Sequence, residues 1–185
     1  MTTQERLSSI LKHIPNKKER PFVIAIDGRC GSGKSTLAAA LSKTLDCGVI
    51  HMDDFFLPPA LQTDERRAEI GGGVHYERFS DEILPYLISP LPFSYRAYQC
   101  STGTHRNVNV SGGAYFIIEG SYSHHPYFSS YADLRIFLTV ERPIQLARLT
   151  QRSPEKINDF IEKWIPAEEA YLTGFGIIQN SDLVL

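Results

Sequence analysis

The stretch FVIAIDGRCGSGKSTLAAAL, residues 22–41, constrains this chain more than any other. A continuous apolar run of this kind fits a strand buried on both faces. It breaks at Gly28 into a glycine-rich loop and resumes as an alanine- and leucine-rich segment with helical character. Glycines let such a loop curl until several backbone N–H groups point inward, forming a nest for an anion. A helix starting near Lys34 directs the positive end of its dipole at the same point. Gly28-Arg29-Cys30-Gly31-Ser32-Gly33-Lys34-Ser35 satisfies G-x-x-x-x-G-K-[ST] completely, in the strand–loop–helix context that gives the motif meaning. Gly28, Gly31, Ser32, Gly33, Lys34, Ser35 and Thr36 are therefore expected around nucleotide phosphates. Lys34 would reach the β- and γ-phosphates, and the Ser35 hydroxyl would ligate Mg²⁺. Thr36 is expected inside the helix or near the α-phosphate. Arg29 and Cys30 occupy variable motif positions and receive no role.

The rest of the chain alternates strand and helix, which predicts an α/β fold with a mainly parallel sheet. Strands are expected at 21–27, 48–52, 114–120 and 134–140, with a last one in the closing SDLVL. Leu7, Ile10, Leu11 and Ile14 have helical spacing, so an N-terminal helix is expected over about 3–14. Residues 53–79 mix prolines, charges and three consecutive glycines and read as irregular and mobile. Ser80 would cap a helix over 81–89 that Pro85 kinks or shortens. FSYRAYQC and RNVNV read as a hairpin joined by STGTH. Pro143 opens a helix to about Gln151, and Pro154 opens another to about Leu172 that Pro166 interrupts. No repeat or linker divides the 185 residues, so one domain over 1–185 is expected.

Composition excludes several functions. A net charge of −2 and a pI near 6.3 lack the basic footprint of a nucleic-acid binder. No apolar run approaches the roughly 20 residues of a membrane span. The N-terminus lacks the continuous apolar core of a secretory signal. Cys30, Cys47 and Cys100 have no metal-ligand spacing, and their odd number argues against a disulfide framework. The expected compartment is a reducing cytoplasm.

In open α/β sheets, ligands lie beyond the carboxyl ends of the strands. The second strand ends at Asp53-Asp54 and the third at Glu119. Phosphoryl transfer to an alcohol needs a group that orients the hydroxyl and accepts its proton, and acidic or water ligands around Mg²⁺. Asp53 is the expected base. Strand alternation turns Asp54 the other way, toward a structural or capping bond. Glu119 is expected to hold Mg²⁺ through water or to assist positioning.

With these residues in place, the chain resembles the uridine kinase family of P-loop nucleoside kinases, which includes the nicotinamide riboside kinases. The resemblance rests on IAIDGRCGSGKSTLA, VIHMDDFF, HYERF, FIIEGSYS, LRIFLTVERPIQLARLTQR and SDLVL, in that order. It implies a three-layer P-loop fold with a five-stranded parallel sheet and a helical lid. It implies ATP as co-substrate with Mg²⁺, Asp53 as the hydroxyl-activating acid and Glu119 as the second acid near the metal. The lid is expected over about 142–172, with Arg148 and Arg152, four apart on one helical face, closing over the transferring phosphate. Arg142 is a third cation there.

The acceptor site is expected within an insertion over about 53–110. Its candidates are Tyr76 and Arg78 in VHYERF, and Tyr98, His105 and Arg106 in the hairpin. In the family, a tyrosine–aspartate pair followed by histidine and arginine contacts the nucleoside; here Gln99 replaces the acid and the spacing is longer. The adjacent His124 and His125 are expected at the surface or just behind the site. The chain is thus expected to be a small-molecule kinase acting on a nucleoside or riboside. The alternatives are a kinase for another alcohol, such as pantothenate or a sugar phosphate, and a regulatory nucleotide switch.

Overall fold

The computed structural model describes residues 1–15 and 19–185. Five parallel strands form one sheet: β1 (Phe22–Gly28), β2 (Val49–His51), β5 (Tyr115–Glu119), β6 (Leu134–Leu138) and β7 (Leu183–Val184). Across the sheet their order is β2-β5-β1-β6-β7. A separate antiparallel hairpin pairs β3 (Phe93–Gln99) with β4 (Thr104–Val110). His105 and Arg106 therefore lie on a strand, just beyond the turn.

Alternation along the strands builds a core on each face of the sheet. Val23, Phe116 and Ile118 pack on one face with Phe55, Phe79 and the hairpin residues Tyr95 and Ala97. Ile24, Ile26, Ile117 and Ile136 pack on the other with Leu37 and Leu41 of α2 (Lys34–Leu45) and Leu7 and Ile10 of α1 (Thr3–Leu11). Full burial of one such side chain contributes about 1.5–3 kcal/mol, so these layers hold the strand ends in register. Gly28 joins two of those ends. A Cβ there would lie 2.1 Å from the Leu138 carbonyl oxygen, so only glycine lets β1 run this close to β6 as the loop begins.

Three stretches differ from expectation. The segment 53–79 is more ordered than its glycines and prolines suggest. It contains the 3₁₀ turns Met52–Phe55 and Pro59–Leu61 and the short helix α3 (Asp64–Ala68). Thr63 caps α3, and Arg66 donates to the carbonyls of Gly72 and Val74, which fixes the glycine run. The next helix, α4 (Tyr76–Glu82), starts before Ser80 because Tyr76 and Phe79 are both buried. Only a 3₁₀ turn, Leu84–Tyr86, contains Pro85. In the segment expected to form the lid, α5 (Arg142–Arg152) opens on Pro143 as expected. The chain then passes through a 3₁₀ turn, the short α6 (Ile157–Asp159), a π-helical turn at Phe160–Trp164 and α7 (Ile165–Gly174). Pro166 has no N–H for the Glu162 carbonyl and its ring crowds that oxygen, and the wide turn ends just before it.

Candidate active site

A cleft of about 1710 Å³ opens beyond the carboxyl ends of β1, β2 and β5. The phosphate loop, Asp53, Glu119, the hairpin end at Tyr98 and Cys100, and the lid residues Arg148, Arg152 and Lys156 all line it. Gly33, in left-handed conformation at φ 98°, is the N-cap of α2 and supplies no side chain to the cap. The first N–H groups of that helix thus remain for a ligand. Ser32 Oγ and Arg6 Nε are buried here without a partner among the described residues.

Lys34 Nζ donates to the carbonyls of Gly28 (2.6 Å) and Arg29 (3.2 Å) and to Ser121 Oγ (3.2 Å). Ser35 Oγ donates to Glu119 Oε2 at 3.4 Å. Glu119 also holds His51 Nδ1 at 2.7 Å, and that bond raises the His51 pKa despite partial burial. Asp53 faces the same space. Asp53 is exposed on the cleft face, yet desolvation by the surrounding protein is the main cause that raises its carboxyl above the ordinary range; the charge of Glu119 adds to it, and Lys34 and His51 oppose it. A carboxylate made more basic in this way is suited to accept a proton.

Asp54 does turn away from the cleft, for a different reason than strand alternation. Asp53 and Asp54 sit in a 3₁₀ turn. Tyr95 donates its hydroxyl to Asp54 at 2.6 Å, and Arg106 lies 3.8 Å from the same carboxylate. Arg78 reaches the Asp54 carbonyl (3.0 Å), the Arg96 carbonyl and His105 Nε2 (3.2 Å), with its guanidinium over the Phe55 ring. Tyr76 is buried under Arg66, which also pairs with Glu77, and donates its hydroxyl to Glu69. Of the five acceptor candidates, the cleft wall includes Tyr98 but not Tyr76, Arg78, His105 or Arg106.

His124 and His125 are core residues rather than surface ones, at 2% and 5% exposure. The His124 N–H donates to Asp27, and the His125 ring stacks on Tyr76 and Tyr171. Burial holds both imidazoles below their ordinary pKa. They lie apart because adjacent residues project in different directions.

The segment expected to form the lid lies against the glycine-rich loop. Arg148 Nη1 donates to the Gly31 carbonyl at 2.9 Å, and Arg152 stands over the Phe160 ring. Arg142 instead bonds Gln145 within its own helix, and Gln145 Nε2 donates to the Cys30 carbonyl. Burial pushes the Cys30 thiol up to about 12, so it is inert near neutral pH.

The sequence analysis missed several residues around the site. Glu168 of α7 accepts the Cys30 N–H (2.9 Å) and the Ser121 hydroxyl (2.6 Å), and Glu169 holds Arg29 at 2.6 Å. Asp27, fully buried, accepts from Gly28 N, His124 N and the Tyr171 hydroxyl. Asp27 had a signal, since an acid at the end of an apolar strand needs partners. Glu168 and His51 had none, because their partners are distant in sequence.

No family model matches the chain. A stretch of 85 residues is 29% identical to a probable gluconokinase of Dictyostelium discoideum, covering 46% of this chain and 38% of that protein. The chain thus spans well under half the length of that relative. Among solved structures, a possible uridine kinase from Bacillus stearothermophilus superposes with a TM-score of 0.76 at 24% identity, over 100% of both chains. The D-glycerate 3-kinase of Cryptococcus neoformans superposes with a TM-score of 0.63 at 14% identity, over 90% of this chain and 87% of that one. With its five-stranded parallel sheet and flanking helices, this chain has the α/β fold of these solved kinase structures.

Proposed function

We propose that this protein is an ATP-dependent kinase that moves the γ-phosphoryl group to a hydroxyl of a small molecule. One observation carries the reading: Lys34, Ser35, Glu119 and Asp53 meet in one cleft beyond the strand ends, although they come from three separate segments. The loop N–H groups and Lys34 hold the phosphates. The acceptor oxygen attacks the γ-phosphorus, its proton passes to Asp53, and the bond to the bridging oxygen breaks to leave ADP. Arg148 lies one hydrogen bond from the loop, placed to exchange the Gly31 carbonyl for a phosphate oxygen as the lid closes.

The donor set suits Mg²⁺. Ser35 Oγ and the Glu119 carboxylate are hard oxygen donors within 3.4 Å of each other. Among the described residues no group of three or more His, Cys, Asp or Glu makes an all-protein metal site, so phosphate oxygens and water would complete the shell. When bound, the ion would offset charge on the β- and γ-phosphates.

The similar proteins are named for different alcohols. A nucleoside or riboside is the acceptor we favour, supported by Tyr98 in the cleft wall, with the cytoplasm as the matching compartment. No helix among the described residues is long and apolar enough to cross a membrane. The test is ADP release from Mg²⁺-ATP with nucleosides, pantothenate, sugar acids and sugar phosphates. Release that depends on one acceptor class supports the kinase and names its substrate. Release independent of every acceptor refutes it in favour of an ATPase or switch.

A further inference from the structure

Glu168 is a buried carboxylate that the proposed reaction does not use. It is 4% exposed, on the first turn of α7, and it reaches into the phosphate loop. Both of its oxygens face the Cys30 N–H, at 2.9 and 3.0 Å, and one also takes the Ser121 hydroxyl at 2.6 Å. Ser121 in turn accepts from Lys34 Nζ at 3.2 Å; burial raises the Glu168 carboxyl above its ordinary range, and the charge of Lys34 opposes that rise and favours the carboxylate. A negative group therefore already sits on an N–H of the anion-binding loop and shares a hydrogen-bond chain with its lysine.

We infer that Glu168 is an internal stand-in for the nucleotide's terminal phosphate: it holds the loop and Lys34 poised while the site is empty and must give way when the nucleotide binds. This role requires that the loop be the nucleotide site, as proposed above. Three features fit it. The carboxylate uses the same kinds of donor that a phosphate oxygen would use, a loop N–H and groups tied to Lys34. Its helix follows directly on the π-helical turn in the middle of the proposed lid, and such turns mark places where a helix is locally deformed. Two neighbouring bonds set how firmly the helix is held, Glu169 to Arg29 and Tyr171 to Asp27. Lid and loop then share one element, so movement of α7 on closing would release Cys30 and Lys34 together.

A stand-in and a merely structural carboxylate differ in the sign of one effect. Glu168→Gln keeps the shape and one acceptor oxygen but removes the charge. In calorimetric titration with Mg²⁺-ATP, and separately with inorganic pyrophosphate, the variant is expected to bind about tenfold tighter than wild type, a change that repulsion between two charges near a protein surface permits. Glu168→Asp keeps the charge but withdraws it by one methylene, and should fall between the two. Hydrogen exchange on the wild-type protein is the check that needs no variant: amides of 165–174 should exchange faster once Mg²⁺-ATP is bound. Affinity that is equal or weaker in Glu168→Gln, or slower exchange of 165–174 with nucleotide, overturns the inference. So does an absence of binding in both wild type and variant. Tighter binding without phosphoryl transfer to any acceptor leaves this inference standing and removes the kinase reading instead.

Discussion

At the phosphate end of the cleft, Lys34, Ser35 and the loop N–H groups come from one unbroken stretch, and strand and helix on either side hold it. At the proposed acceptor end, Asp53 and Tyr98 come from segments that meet only because the hairpin packs on the sheet. The polar groups there are largely spent on one another: Arg78 on Asp54, Arg96 and His105, Arg66 on Glu77 and Tyr76. The phosphate end keeps donors for a ligand, and the acceptor end keeps few. Donor binding should therefore survive most changes at the acceptor end, whereas acceptor choice should hinge on the few side chains left facing the cleft.

Replacing Lys34 by Ala is the largest expected break. It removes the charge proposed to meet the β- and γ-phosphates, on the scale of about 10³ in turnover for losing a preorganised stabilising donor. Steady-state kinetics with a thermal melt as control reads it. Turnover close to that of wild type would take the loop out of the chemistry.

Next comes Asp53→Asn, which keeps the size and loses the proton acceptor. Turnover should fall about 10² while Mg²⁺-ATP affinity stays close to wild type. A lost affinity would make Asp53 a metal-site residue instead. In wild type the acidic limb of kcat/KM should lie above the usual carboxylate position, and in the Asp53→Asn variant it should be absent. Persistence of an identical limb in the variant assigns it to another group.

Arg148→Ala should lower kcat more than it weakens ATP binding, because its present partner is a loop carbonyl and its phosphate contact would come with closure. An effect on affinity alone would make it a static binding group. The smallest expected change sharpens the acceptor end. Tyr98→Phe removes one hydroxyl from the cleft wall and should raise the acceptor KM about fivefold, the scale of one hydrogen bond. His105→Ala, outside that wall, should leave this KM unchanged. The reverse pattern would mean that the hairpin shifts before acceptor binds.

Much of the donor end was legible because it is local. Glycine spacing, one lysine and a following helix specify the loop whatever the rest of the chain does, and a buried strand reads as an apolar run. The strand ends at Asp53 and Glu119 followed from the same logic, since parallel strands bring their carboxyl ends to one side. The glycine-rich loop, the parallel sheet and the two acids at strand ends were thus readable from local pattern. Which polar residues are spent internally depended on packing between segments distant in the chain. Tyr76, Arg78 and the two histidines have the chemistry of ligand contacts, yet burial obliges each to find a partner, and those partners lie on other elements. Glu168 shows the same physics in the opposite sense. Nothing near it in sequence distinguishes it from a solvated helix acid, and only the packing of α7 on the loop brings its charge to Cys30.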